Sequence, residues 1–272
     1  MPPSPRTQRF RQLHQSGCFV IPNPWDRGSA RLLAQLGFPA LATTSSGMAW
    51  SSGKSDTQVG LADVLAHLRA IVDAVDLPVN ADFEGGYAVD PEGVAANVTL
   101  ALATGISGIS IEDSTGDPAS PLFDLSLAVE RIKAARQAID ESETGVLLTG
   151  RSEGFIAGRP DLAETIRRLT AYSAAGAECL YAPGIRTRAE IAAVVAAVAP
   201  KPVNVLVGSE VATVAELAAM GVRRISTGGA LARAAWSGFL ESAREIASGG
   251  TFAALRGAVT YAELNAAFAP DR

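Results

Sequence analysis

Short apolar, β-branched runs alternate along the chain with longer alanine-rich segments whose apolar residues recur at helical spacing. The runs predict strands at 18–21, 40–44, 79–82, 108–112, 146–150, 179–181, 203–206 and 224–226. Eight strands separated by crossover helices predict an α/β fold, a closed (β/α)8 TIM-type barrel with an additional C-terminal helical segment. Asp90-Pro91-Glu92 and Arg159-Pro160-Asp161 read as helix starts, each with a capping acid and a proline in the first turn. Gly37, Gly105, Gly176 and Gly221 each follow a helical pattern and precede a strand, where a glycine ends a helix by turning left-handed. These glycines belong to the scaffold. The tail after Trp236 predicts at least one further helix, interrupted at Ser248-Gly249-Gly250.

Length and composition fit one domain over residues 1–272, with 237–272 as a helical extension suited to exchange between subunits of a dimer or tetramer. The chain has 28 acidic and 23 basic residues, a net charge of −5, and no basic run, which argues against a nucleic-acid surface. Cys18 and Cys179 lack metal-site spacing and are too few for a disulfide framework, which suits a reducing cytoplasm. The segment from Met1 to Gln15 is polar rather than leader-like, and no apolar run approaches a membrane span. Only Lys54, Lys133 and Lys201 carry amines, and only Lys54 lies where a Schiff-base nucleophile would be wanted. Borohydride-trappable aldolase chemistry therefore rests on one residue.

Barrel active sites lie at the C-terminal strand ends. Reading there gives Ser45-Ser46-Gly47 after the second strand, with Asp56 further along that glycine- and serine-rich loop. Asp82 and Glu84 follow the third strand, Glu112-Asp113 the fourth, Arg151 and Glu153 the fifth, Tyr181 the sixth, and Asn204 lies in the seventh. Clustered carboxylates repel one another unless a cation is present, and an oxygen-only set favours a hard ion. Asp82, Glu84 and Glu112 are thus expected to hold Mg²⁺, with Mn²⁺ as the alternative, largely through water. Arg151 suits an organic carboxylate, because a guanidinium binds two oxygens in a planar fork; its structural alternative is an ion pair with Glu153. Ser45, Ser46 and Gly47 can offer backbone N–H groups to the same anion, or can form a plain turn. Gly228-Gly229 before a helix is weaker support for an anion site.

From Ile21 to about Trp236 the sequence resembles the isocitrate lyase and phosphoenolpyruvate mutase superfamily. The resemblance is carried by Asn23-Pro24-Trp25-Asp26 with Ser29-Ala30-Arg31, by Thr44-Ser45-Ser46-Gly47, and by Asp82-Phe83-Glu84-Gly85-Gly86-Tyr87. Ile111-Glu112-Asp113 and Gly150-Arg151-Ser152-Glu153 continue it. It implies a metal at Asp82, Glu84 and Glu112 with Asp56 nearby. It further implies a catalytic group of Asp56, Arg151 and Glu153, and a substrate site of Trp25, Ser45, Ser46, Gly47, Met48, Arg151 and Asn204. The substrate implied is a small 2-oxo acid, cleaved at a carbon-carbon or carbon-phosphorus bond beside an enolate. Three features depart from the family pattern. Glu112-Asp113 runs into Ser114-Thr115-Gly116-Asp117-Pro118 without the lyase branch's cysteine and histidine or the mutase branch's lysine and asparagine. Glu84 replaces an aspartate, and Gly184 stands where one branch has a glutamate. The expectation is therefore an oxaloacetate decarboxylase- or hydrolase-like enzyme. The alternatives are a phosphonopyruvate or phosphoenolpyruvate mutase-like enzyme, and a 2-oxo acid binding protein with little turnover.

Overall fold

The computed structural model describes residues 3–208 and 212–269; Met1, Pro2 and the last three residues of the predicted 1–272 span lie outside them. In chain order the elements are α1 (Pro5–Leu13), β1 (Phe19–Ile21), α2 (Arg27–Gln35), β2 (Leu41–Ala42), α3 (Ser45–Ser51), α4 (Leu61–Ala74), β3 (Val79–Asp82), α5 (Pro91–Leu102), β4 (Gly108–Glu112) and α6 (Leu125–Ser142). They continue with β5 (Leu147–Arg151), α7 (Leu162–Ala174), β6 (Cys179–Tyr181), α8 (Arg188–Val198), β7 (Val203–Leu206), α9 (Val214–Ala219), β8 (Arg224–Ser226), α10 (Ala230–Gly249) and α11 (Tyr261–Ala267). All eight strands fall where the apolar runs placed them, within a residue or two at each end.

Every strand pairs parallel to its neighbour, in the order β1-β8-β7-β6-β5-β4-β3-β2. Between β1 and β2 the ring is joined by the Ala42 N–H donating to Pro22 O at 3.1 Å and by Asn23 Nδ2 donating to Thr43 O at 2.8 Å. The result is a nearly closed (β/α)8 barrel of the TIM type. Asp90 caps α5 through the Gly93 N–H with Pro91 in the first turn, as read from sequence. At α7 the cap is Asp161 itself, so Pro160 stands before the helix rather than inside it. Gly105 and Gly176 do turn left-handed, at φ of 84° and 106°, just before β4 and the strand after α7.

Alternation along each strand separates two apolar cores. Outward residues such as Ile109, Leu148, Leu180 and Val205 pack beneath the helices in one large cluster. Inward residues form a small second cluster of Phe10, Phe19, Ile21, Ala40, Ala42, Leu147 and Cys179, which closes the N-terminal end of the barrel. Phe10 comes from α1, which stoppers that end; a Cβ on Gly108 would stand 2.5 Å from the Phe10 ring, so glycine is required where the stopper meets β4.

His14 follows α1 and lies buried between the Phe10 and Phe19 rings. Its Nδ1 is 2.7 Å from Phe10 O, so Nδ1 carries the hydrogen and Nε2 is left to accept from Arg224 Nη1 at 3.3 Å. Burial, and next the Arg224 charge, push its pKa down from 6.5 to about 3. An unfolded chain takes up that proton near pH 6.5 and the folded one does not, so stability falls as pH drops from about 6.5 toward 3. The expected loss is on the order of a few kcal/mol, shared with the half-buried His67, whose pKa is also lowered by burial. Urea melts at pH 7 and pH 4.5 on wild type and His14→Gln should show a smaller pH effect in the variant.

The C-terminal segment differs from the rest. α10 runs from Ala230 through Trp236, so the 237 boundary falls inside one helix, and Ala232 is its single buried residue. Trp236, Phe239, Leu240 and Ile246 of α10, and Phe252, Val259 and Tyr261 beyond it, expose large apolar surface. Gly250 ends α10 in the left-handed region, as the Ser-Gly-Gly interruption predicted. Among the described residues no helix is long and apolar enough to cross a membrane.

Candidate active site

The period-two alternation that aims Val79 and Ala81 outward aims Asn80 and Asp82 into the barrel, and likewise Ser110 and Glu112, and Thr149 and Arg151. Asp82, Glu112 and Arg151 therefore end three consecutive strands at one rim, with Glu112 directly beside Arg151 in register. Arg151 Nη1 lies 3.1 Å from Asp82 Oδ1 and 3.2 Å from Glu112 Oε2. Its Nε and Nη2 both go to the Glu153 carboxylate, so the ion pair foreseen as the structural alternative is formed. The guanidinium also lies 5.2 Å from the centre of the Tyr181 ring. A cavity of about 170 Å³ opens here, lined at its mouth by Ser45, Ser46, Asp56, Asp82, Arg151 and Tyr181.

Several predicted residues stand differently from the expectation. Ser45-Ser46-Gly47 is the first turn of α3, not a loop: Thr44 caps it through the Gly47 N–H, and the Ser45 N–H is given to Asp82 Oδ2 at 3.0 Å. Gly47 is wedged against Trp25 and Thr44, where a Cβ would come within 2.9 Å of Trp25 Cβ. Met48 is buried in the outer core. Trp25, Gly47 and Met48 therefore support the wall of the cavity and do not line it. Asp113, next to Glu112, points outward by the same alternation and takes hydrogen bonds from Tyr172 Oη at 2.6 Å and Arg168 Nη1 at 3.1 Å. Its other oxygen accepts the Glu153 N–H at 2.8 Å, so Asp113 fixes the segment that carries Glu153. Lys54 pairs with Asp63 at 3.3 Å on the surface. Asn204 lies deeper in the cavity, bonded to Ser226 and Arg224.

Glu84 and Glu112 face an adjoining hollow with Tyr87, Phe123 and Arg131. Glu84 and Tyr87 both adopt left-handed backbone, φ 45° and 55°, and Tyr87 Oη donates to Glu84 Oε1 at 3.0 Å. Non-glycine residues hold that conformation only where the surroundings impose it. The brace is Arg131 of α6, which donates to the carbonyls of Gly85, Ala88 and Val89 and lies 4.1 Å from the centre of the Phe123 ring. One arginine thus joins the loop after β3 to the loop after β4.

The carboxyls respond to this crowding. Burial, and then the Asp82 charge, raise Glu84 to about 7 and push Asp56 upward as well. Burial raises Glu112 well above the ordinary carboxylate range despite Arg151. Burial opposes the Arg151 charge, but Glu112, Glu153 and Asp82 outweigh it and hold the guanidinium protonated. Five carboxyls, those of Asp56, Asp82, Glu84, Glu112 and Glu153, therefore stand around one arginine, a site short of positive charge. Asp82 and Glu112 turn to Arg151 and Glu84 to Tyr87, so among the described residues no three side chains form a ready-made metal cage. Their chemistry still fits a hydrated hard cation, which needs only one or two direct carboxylates and keeps its remaining waters.

Residues 10–247 match the family model described as phosphoenolpyruvate phosphomutase. The chain belongs to the isocitrate lyase and phosphoenolpyruvate mutase superfamily. A Burkholderia cenocepacia J2315 protein solved as a candidate lyase/mutase is 47% identical, with a TM-score of 0.95 over 98% of this chain and 97% of that one. The oxaloacetate decarboxylase of Bradyrhizobium diazoefficiens (strain JCM 10833 / BCRC 13528 / IAM 13628 / NBRC 14792 / USDA 110) is 30% identical over 71% of this chain and 68% of its own length. Oxaloacetate acetylhydrolase, solved with its product oxalate, is 26% identical, with a TM-score of 0.87 over 98% of this chain and 95% of that one. Superfamily relatives are lyases and mutases, so the chain is an enzyme. Within this superfamily barrel, sequence reading passed over the side chains of Asn23 and Arg131. Asn23 accepts the Thr227 and Gly228 N–H groups and so ties β1 to the loop after β8. The Asn-Pro-Trp-Asp motif was the available signal for it; nothing marks Arg131 among the basic residues of an amphipathic helix.

Proposed function

We propose that the protein is a divalent-metal-dependent lyase or hydrolase that cleaves a small 2-oxo diacid, with oxaloacetate as the leading substrate. The observation that carries this reading is Arg151, one guanidinium set among Asp82, Glu112 and Glu153 at the mouth of a cavity that Asp56 also lines. Asp82, Glu84 and Glu112 are the residues that would hold Mg²⁺, or Mn²⁺, with Asp56 close by. Such an ion, when bound, supplies positive charge beside the 2-oxo and carboxylate oxygens of the substrate.

The remaining roles fall to the chain itself. Arg151 Nη1 is shared between Asp82 and Glu112, and once those carboxylates have another counter-charge it is free to grip a substrate carboxylate. Glu153 keeps the other edge of the guanidinium fixed, so the grip is oriented in advance. Asp56, with its carboxyl raised by burial, is placed to hold or pass a proton at the cavity mouth. Charge that develops on the enolate as the adjacent bond breaks falls beside the Arg151 guanidinium, the one cation at the cavity mouth. The lack of a cysteine or histidine in the loop from Ser114 to Phe123 favours decarboxylation or hydrolysis over reversible carbon-carbon lysis. The relatives that act on oxaloacetate support the same choice.

Product analysis with Mg²⁺ and oxaloacetate, 2-oxoglutarate or phosphonopyruvate tests it. Consumption of oxaloacetate above the spontaneous rate is expected, and three unchanged substrates would count against the reading. The exposed apolar residues of α10 and the segment after it further support a dimer or tetramer in which 237–272 packs on a neighbour. Light scattering should give at least twice the 28.0 kDa chain mass.

A further inference from the structure

The middle of the barrel is polar where barrels of this type are filled with branched apolar side chains. Below the rim and above the Phe10 stopper stand Asn80, Ser110, Thr149, Asn204, Arg224 and Ser226, all buried. Five of these six, all but Thr149, line the floor and walls of the same cavity whose mouth carries Arg151. Arg224 is only 3% exposed, yet its partners are all neutral. Nε donates to Asn204 Oδ1 at 2.8 Å, Nη2 to Thr149 Oγ1 at 3.1 Å, and Nη1 to His14 Nε2 at 3.3 Å.

Those bonds use three of the five N–H donors of a guanidinium. His14 cannot share the charge, because its Nδ1 hydrogen is given to Phe10 O and its burial keeps it neutral. Nor does a carboxylate of the described residues form an ion pair with Arg224, in contrast to Arg151, which has three such partners, and Arg168, which has two. A full charge buried among neutral dipoles is costly unless a counter-ion joins it. Asn80, on the same cavity, donates through Nδ2 to Ala81 O at 3.1 Å, and its Oδ1 is an acceptor that supplies no counter-charge to Arg224.

We infer that Arg224, with the polar side chains around it, forms an anion site inside the barrel, one layer beneath the active-site mouth. It takes a small monovalent anion of halide or carboxylate size, entering through the cavity. The site balances the buried charge, and it gives the cavity a second positive pole below Arg151. This inference stands apart from the proposed reaction, since it requires neither the metal nor turnover.

Bromide is the probe. Crystals soaked in sodium bromide with EDTA should show an anomalous peak against the Arg224 guanidinium. Melting in bromide should exceed melting in gluconate at equal ionic strength by about 3–5 °C, the size expected when a ligand stands near ten times its Kd. Arg224→Met removes the charge and Asn204→Asp supplies a permanent carboxylate partner to Nε. The bromide-dependent shift should vanish in both, and the second variant keeps the test open where the first fails to fold. Acetate or malonate that displaces the bromide peak assigns the site to a carboxylate, and a peak that persists assigns it to a free inorganic ion. No peak at Arg224, together with equal bromide shifts in wild type and Asn204→Asp, would overturn the inference.

Discussion

Replacing Arg151 by methionine should lower kcat/KM for the 2-oxo acid by on the order of a thousandfold, and should make the fold more dependent on magnesium at the same time. The first effect follows from losing the one cation at the cavity mouth, whose Nη1 grips the substrate carboxylate. The second follows from what is left behind. Glu112 and Glu153 are each nearly buried and would keep no counter-charge, a situation that costs about 3–5 kcal/mol when one partner of a buried pair is removed. Either the carboxyls take up protons or a cation replaces the guanidinium. Thermal melts with and without Mg²⁺ check this: the magnesium-induced rise in Tm should be larger in Arg151→Met than in wild type. Arg151→Lys keeps a charge but loses the planar fork, so it should recover stability more than activity. Equal magnesium shifts in all three proteins would remove Arg151 from its assigned place.

Asp82→Asn is the second large effect. Asparagine has the same shape and can still accept the Ser45 N–H, so α3 should stay docked on β3. What disappears is the negative charge that faces Arg151 and the cavity. Mn²⁺ binding followed by electron paramagnetic resonance should weaken at least tenfold, and turnover should fall by about a hundredfold or more. The carboxyl of Glu84 should also titrate lower once the neighbouring charge is gone, because Asp82 follows burial among the causes that raise it. Unchanged Mn²⁺ affinity would place the ion elsewhere.

Much of this site was legible in the chain because strand periodicity fixes direction as well as position. Once β3, β4 and β5 are located, alternation alone puts Asp82, Glu112 and Arg151 inside one rim and sends Asp113 outward; the sequence reading grouped Glu112 and Asp113 although that distinction was available. α3 was hidden for another reason. Seven residues of serine, glycine, alanine, methionine and tryptophan carry no helical repeat, and only the Thr44 cap marks the start. The left-handed backbone of Glu84 and Tyr87 is imposed from a distance by Arg131, in a helix more than forty residues later, and nothing local announces it. Asn204 is expected beside the substrate from its place near the end of the seventh strand and from the family resemblance, and it does line the cavity. Its pairing with Arg224 follows from the register between β7 and β8, which no local pattern announces.

The central claim is that a carboxylate rim short of positive charge takes up a divalent cation and uses it, with Arg151, on a 2-oxo acid. Its most direct test is the rate of oxaloacetate loss, followed by proton nuclear magnetic resonance on EDTA-treated protein as Mg²⁺ is titrated back. The expected result is saturable, magnesium-dependent consumption above the rate given by Mg²⁺ alone, reduced about a hundredfold or more in Asp82→Asn. Consumption that ignores Mg²⁺ and EDTA, or that survives Asp82→Asn unchanged, would contradict the account.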